Sequence, residues 1–134
     1  MTDHPAPDLD AALVLGMAST AIPFADSREA EAERWLRILR LHGEAGATLQ
    51  ALGVSEAPLE ARAEPHEQAA AVAGEDVVAR VGEAAAASAR RRDSVVFGTA
   101  DVLLAVIDVY GSDFNHVLRA HGTDRDEVLE RIAA

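Results

Sequence analysis

The residues that could do chemistry are histidines with carboxylates at helical distance. His116 and His121 lie five residues apart, with Asp113 three residues before the first and Asp124 three residues after the second. A carboxylate at that spacing could orient an imidazole as a general base. Zinc-binding histidine pairs on helices use spacings of three or four, whereas five residues place these two on different faces. The pattern therefore predicts no metal or cofactor, and it favours a surface position for His116 over a catalytic one.

The sequence lacks the residues that most other catalytic mechanisms require. The chain contains no cysteine, and all 12 of its basic residues are arginine. These absences remove thiol nucleophiles, zinc knuckles, Schiff-base chemistry and the lysine of a nucleotide-binding P-loop. No serine lies in a Gly-x-Ser-x-Gly turn, and the carboxylate clusters fall at predicted helix starts, where capping accounts for them. We expect a non-enzymatic protein, with an enzyme left open as the alternative.

The composition also limits the partners. The formal net charge is -11, which repels nucleic acid because duplex binding depends on cationic contacts with phosphate. Aromatic residues make up only 4% of the chain, too few for a platform that stacks single-stranded bases. The sequence has neither a secretory leader nor an apolar run long enough to cross a bilayer. We expect a cytoplasmic protein that binds neither nucleic acid nor membrane.

The elements that must position these residues are amphipathic helices. Across residues 97–132, apolar side chains recur at three- and four-residue spacing in three successive segments. The predicted starts of these helices are Thr99, Ser112 and either Thr123 or Asp124, and the predicted breaks are Gly111 and Gly122. No strand is predicted. Tyr110, at a helix end, is left undecided between core and surface.

The first half of the chain is also predicted to form amphipathic helices. Asp8 or Asp10 can cap a first helix that ends before Pro23, and Asp26 and Ser27 precede a second. The first helix is expected to bury three apolar residues at four-residue spacing, Leu9, Leu13 and Met17. The second is expected to bury Trp35, Leu36, Ile38 and Leu39. The run Arg90-Arg91-Arg92 could grip a carboxylate or phosphate, but arginines in a last helical turn also complement the helix dipole, which we favour.

The two halves are copies of one unit. Trp-Leu-Arg-Ile-Leu at residues 35–39 parallels Leu-Leu-Ala-Val-Ile at residues 103–107, and Leu-Gln-Ala-Leu-Gly at residues 49–53 parallels Leu-Arg-Ala-His-Gly at residues 118–122. The offset is about 68 residues, which indicates an internal repeat. The sequence thus predicts a single all-α domain of about eight helices in two pseudo-symmetric four-helix repeats. Repeat one covers about residues 8–62, a linker about 63–73, and repeat two about 74–133.

These residues carry a resemblance to a known family. The run Gly98-Thr-Ala-Asp-Val-Leu-Leu-Ala-Val-Ile107, followed by Val117-Leu118-x-x-x-Gly122, resembles the second repeat of the N-terminal domain of Clp-type AAA+ unfoldases. That domain is itself a tandem four-helix repeat, so the resemblance covers nearly the whole chain. In the family it is a docking module that receives adaptors and substrates ahead of the ATPase ring. The resemblance therefore implies a free-standing module that binds protein or peptide: a Clp-type unfoldase, an adaptor or a client.

The resemblance also implies site residues, and the chain departs from the family at some of them. The family motif Gly-Thr-Glu-His has Ala100 and Asp101 here in place of its glutamate and histidine. In some relatives the motif glutamates grip phosphorylated arginine, so the resemblance does not carry that activity over. The implied partner-binding surface lies around Thr99 and Asp101, their first-copy counterpart Glu31, and the helix starts near Leu9 and Gly74.

A second hypothesis from another class stays open. A helical repeat without its motor could have been adapted to hold a small molecule or peptide, for sequestration, resistance or cofactor-free catalysis. A concave pocket on which Asp101, His116 and Tyr110 converge would favour this hypothesis. An exposed apolar patch with a polar rim would favour protein docking. The sequence does not name the partner or the oligomeric state.

Overall fold

The fold is all-α, as the sequence predicted. The structure is a computed structural model, and it describes residues 5–54 and 76–133. The described helices are α1 (Leu9–Ala21), α2 (Arg28–Arg40), α3 (Gly43–Ala51), α4 (Val77–Arg91), α5 (Thr99–Tyr110), α6 (Ser112–Ala120) and α7 (Arg125–Ala133), with a 3₁₀ turn at Ile22–Phe24. The predicted linker, the fourth helix of repeat one and Gly74 lie outside the described residues.

The helices begin where side chains can satisfy their free amides. The Asp8 carboxylate accepts a hydrogen bond from the Ala11 N–H at the start of α1, and the Ser27 hydroxyl accepts one from the Ala30 N–H at the start of α2. Asp124 does the same for α7, accepting from the Glu127 N–H. These three starts agree with the sequence prediction. The predictions that Thr99 and Ser112 cap their helices were wrong. Gly98 is the N-cap of α5 and Gly111 that of α6, so Thr99 and Ser112 are the first helical residues.

The two halves repeat the same order and the same turns. The Val54 N–H donates to the Leu49 carbonyl after α3, and the Thr123 N–H donates to the Leu118 carbonyl after α6, each over 3.0 Å. The glycine inside each turn has a positive φ, +91° at Gly53 and +95° at Gly122. This is the helix ending in which a left-handed glycine lets the chain turn back. Contacts also exchange between halves, since α3 packs on α5 and α6 packs on α2.

The core lies between α2 and α5, the second helix of each half. Trp35, Leu36 and Leu39 on α2 are fully buried, as predicted. They pack with Val102, Leu103 and Val106 of α5 and with Phe114, Val117 and Leu118 of α6. Helix α4 covers α5 with its small residues Ala85 and Ala89, which let the two helices approach closely. Tyr110 is also buried, which settles its position in favour of the core.

Two expectations were wrong. A two-residue parallel strand pair joins β1 (Ala6–Pro7) to β2 (Val96–Phe97), although no strand was predicted. Two residues are too few to leave a periodic pattern, and the pairing joins segments far apart in the chain. On α1, the fully buried residues are Ala11, Val14 and Ala18, while Leu9, Leu13 and Met17 face solvent. This helix has two apolar faces, and the one with small side chains packs on the core.

Gly43, at the start of α3, is required by both conformation and space. Its φ is +59°, and a Cβ atom there would lie 2.6 Å from the Thr99 hydroxyl oxygen. Gly53 provides a matched control, because its φ is also positive but its Cβ would meet nothing within 4 Å. We expect Gly43→Ala to lower the free energy of unfolding by about 1–3 kcal/mol more than Gly53→Ala, through the added steric clash. Urea denaturation of both variants measures this difference, and equal losses would mean that the Thr99 contact is not tight.

Candidate functional site

Two of the helix starts that the sequence implicated in binding, at Leu9 and Thr99, lie close together, whereas Gly74 is outside the described residues. The N-termini of α1, α3 and α5 converge, with the Thr99 hydroxyl accepting a hydrogen bond from the Ala45 N–H of α3 over 2.9 Å. A Cβ atom on Gly98 would lie 3.1 Å from an Asp8 carboxylate oxygen, which places the starts of α1 and α5 in contact. Thr99 is buried. Its hydroxyl therefore caps a helix of the other repeat, a use that helical spacing could not reveal.

Asp101 is buried and fully engaged inside the protein. One carboxylate oxygen accepts from the Ser88 hydroxyl over 2.8 Å and from Arg92 over 2.7 Å. The other accepts from Arg92 over 2.8 Å and from the Gly98 N–H over 3.1 Å, which satisfies the backbone amide of the α5 N-cap. The arginine run thus does grip a carboxylate, but one of its own chain. The sequence assigned Asp101 to a partner-binding surface, whereas all four of these hydrogen bonds are internal.

Tyr110 and Glu31 form the corresponding junction at the other end of α5. The Tyr110 hydroxyl donates to Glu31 over 2.6 Å and accepts from the Trp35 indole N–H over 3.1 Å. The Arg28 guanidinium lies over the ring, 4.9 Å from its centroid. Burial first, and then the hydrogen bond to Glu31, raises the pKa of Tyr110 well above its ordinary value. The Glu31 carboxylate therefore already accepts a hydrogen bond from within the protein.

The two histidines play separate parts. His116 is exposed and lies 3.3 Å from Glu29, while its predicted neighbour Asp113 pairs with Arg28 instead. His121 is buried, with 5% of its side chain exposed, and its Nε2 lies 3.3 Å from both oxygens of Glu33. Sequence reasoning missed this pair, because Glu33 is 88 residues away and looked like one more helix-start carboxylate.

Asp101, His116 and Tyr110 do not converge on a pocket. Asp101 and Tyr110 lie at opposite ends of α5, about 13 Å apart along the helix axis, and each contacts a different set of neighbours. His116 contacts α2 through Glu29 at the surface. Across residues 5–54 and 76–133, no group of three histidine, aspartate or glutamate side chains could hold a metal ion. No helix in the same ranges is both long and apolar enough to cross a membrane.

One side of α1 exposes a row of large apolar side chains. Leu9, Leu13 and Met17 recur every four residues along one side of the helix, with 75%, 46% and 42% of their surface exposed. Phe24, in the 3₁₀ turn that follows α1, is also a large apolar residue and is 77% exposed. We call these four residues the α1 face. Single exposed apolar residues are common, but a contiguous row of large ones indicates an interaction surface.

The surroundings of the α1 face are acidic. Asp8 and Asp10 are exposed at the start of α1, and Asp26 is exposed just after Phe24. Helix α1 itself carries no basic residue. The face is therefore apolar along its length, with exposed carboxylates near both ends. At the end of α1, the Arg34 guanidinium donates a hydrogen bond to the Ala21 carbonyl.

Comparison with protein-family models, with curated proteins and with solved structures found no match for this chain. The resemblance to the Clp N-terminal domain therefore rests on the residues quoted above.

The Asp101 cluster can be tested by removing one charge. We expect Asp101→Asn to lower the free energy of unfolding by about 2–4 kcal/mol, because it weakens a two-bond ion pair and the α5 cap around a buried group. Asp108→Asn is the control, an exposed carboxylate on the same helix, with an expected change within about 0.5 kcal/mol. Thermal and urea unfolding of both variants would measure the two changes in the free energy of unfolding. Equal stabilities would contradict a structural role for Asp101.

Alkaline titration isolates Tyr110. The chain has a single tyrosine and neither lysine nor cysteine, so no other side chain has an ordinary pKa between about 8 and 12. The folded protein holds the hydroxyl proton more tightly than the unfolded chain, so stability is fully present below about pH 10. Above that pH it should fall by about 1.4 kcal/mol per pH unit as the unfolded state ionises.

Tyrosinate absorbance of the native protein and denaturant unfolding across this pH range provide the measurements. The variant Tyr110→Phe should lose the pH dependence in this range while keeping the ring in the core. A native tyrosine that ionises at its ordinary pKa would contradict the buried hydrogen bond to Glu31.

Proposed function

We propose that this chain is a non-enzymatic docking module, similar in kind to the N-terminal domain of Clp-type unfoldases, which binds a protein or peptide segment along the α1 face. The observation that carries the proposal is the row formed by Leu9, Leu13, Met17 and Phe24. The opposite side of α1, with Ala11, Val14 and Ala18, packs in the core, and no residue of the row belongs to the buried core of residues 5–54 and 76–133. By the same resemblance, we propose that it acts in the cytoplasm on clients, adaptors or an unfoldase.

The charge around the face selects the kind of segment. Asp8, Asp10 and Asp26 flank the row, and the whole chain carries a net charge of -11. A second copy of this chain would bring like charges together, which disfavours self-association through this face. A segment with apolar residues at helical spacing and basic residues beside them would complement both the row and its acidic ends.

Binding of phosphorylated arginine, which occurs in some relatives of the Clp N-terminal domain, receives no support from the geometry of the Glu31 and Asp101 carboxylates. Glu31 accepts the Tyr110 hydroxyl, and both oxygens of Asp101 face internal donors. A ligand that used these carboxylates would have to break those hydrogen bonds first. For the same reason, no arrangement of described residues favours the enzymatic alternative.

A labelled peptide provides the test. The probe is an amphipathic helix of about 15 residues, long enough to follow the 13 residues of α1, with apolar residues every three or four positions and lysines between them. We expect Leu13→Asp to weaken its binding by about tenfold or more, because burial of a leucine contributes about 1.5–3 kcal/mol. Fluorescence anisotropy would measure the affinity.

The matched control is Ser19→Asp. Ser19 is exposed on α1 but points away from the α1 face by helical spacing, so the variant adds the same charge without touching the row. It should bind the basic peptide at least as well as the unaltered protein. A peptide with glutamates in place of the lysines should bind much more weakly, and the difference should shrink with added salt. Equal effects of the two variants, or no binding of the basic peptide, would overturn the proposal.

A further inference from the structure

A second surface lies on the other repeat, between α4, α5 and α7. These helices enclose an open cleft of about 580 Å³, within the range of pockets that hold small ligands. It shares no residue with the α1 face. Its floor is formed by six apolar side chains, Ala84, Ala87, Leu104, Ala105, Ile107 and Leu129.

One residue of the cleft is less buried than its counterpart in repeat one. Leu104 and Leu129 are only half-buried. Under the internal repeat, Leu104 corresponds to Leu36, which is completely buried in the core. Leu104 therefore leaves apolar surface uncovered, whereas Leu36 leaves none.

The rim of this cleft is cationic. Arg91 from the end of α4 and Arg125 from the start of α7 line it, and both side chains are exposed. Neither guanidinium forms an ion pair or hydrogen bond with any residue in the described ranges, in contrast to Arg92, which pairs with Asp101. Asp108 is the one acidic side chain on the lining, which leaves the cleft with a net positive charge in a strongly acidic protein.

We propose that this cleft binds a small amphiphilic carboxylate. Its apolar body would lie on Leu104 and Leu129, and its carboxylate would accept paired hydrogen bonds from Arg91 or Arg125, the geometry that a guanidinium favours. A small ligand is favoured over an acidic protein segment because the cleft volume, about 580 Å³, lies in the range of small-molecule pockets. The proposal is independent of peptide docking, since it uses another surface and the opposite charge.

Decanoate, kept below its micelle concentration, serves as the probe. We expect it to shift the methyl resonances of Ala84, Ala87, Leu104 and Leu129 in a saturable titration, and to leave those of Leu9, Leu13 and Met17 unchanged. Decyltrimethylammonium, with the same apolar chain and the opposite charge, should bind at least tenfold more weakly. Equal binding of the two would overturn the proposal, because the arginines would then play no part.

Two kinds of variant test the site. Arg91→Gln and Arg125→Gln together should weaken decanoate binding by about tenfold, whereas the double control Arg37→Gln with Arg119→Gln removes two exposed arginines that lie outside the cleft and should change it little. Ala87→Phe, which keeps both charges but fills the floor, should abolish binding; circular dichroism would confirm that each variant is folded. The same loss in the control, or shifts confined to the α1 face, would also overturn the proposal.

Discussion

The arrangement of the two repeats depends on how closely the first turn of α5 approaches the start of α3. Thr99 reaches the Ala45 amide only because Gly43 has no side chain, and this hydrogen bond lies in the core. Tyr110 makes the equivalent link at the other end of α5, between Glu31 and Trp35 of α2. Buried polar groups are costly unless they find their partners. Both ends of α5 are therefore restricted to one position against the first repeat.

This restriction explains what the motif residues do. Thr99 and Asp101 belong to the segment that carries the resemblance to Clp N-terminal domains, and Glu31 is the first-copy counterpart. All three direct their polar atoms inward, to Ala45, Arg92 and Tyr110. A segment can thus mark a way of packing two repeats without marking a ligand site. Function then has to be sought on surfaces whose side chains lack partners, namely the α1 face and the cleft.

Sequence reasoning succeeded where the cause is local. Asp8 and Ser27 cap helices through amides three residues away, and the leucine-rich stripe around Trp35 packs inward because few other residues of α2 could. It failed on α1, where two apolar faces compete and only the space left by neighbouring helices decides between them. It also could not pair His121 with Glu33, because Asp124 was the nearer carboxylate in the chain and the true partner depends on how the repeats meet.

The two uncovered surfaces differ in the sign of the charge around them. The α1 face has acidic residues near its ends, whereas the cleft has an arginine rim. Electrostatic complementarity governs which partner approaches and how fast, more than how tightly it binds. A basic segment is repelled by the arginine rim, and an anion is repelled by Asp8 and Asp10. The two proposed occupants would therefore not compete. One would affect the other through the packing of α1 on α4 and α5, the contacts that connect the two surfaces.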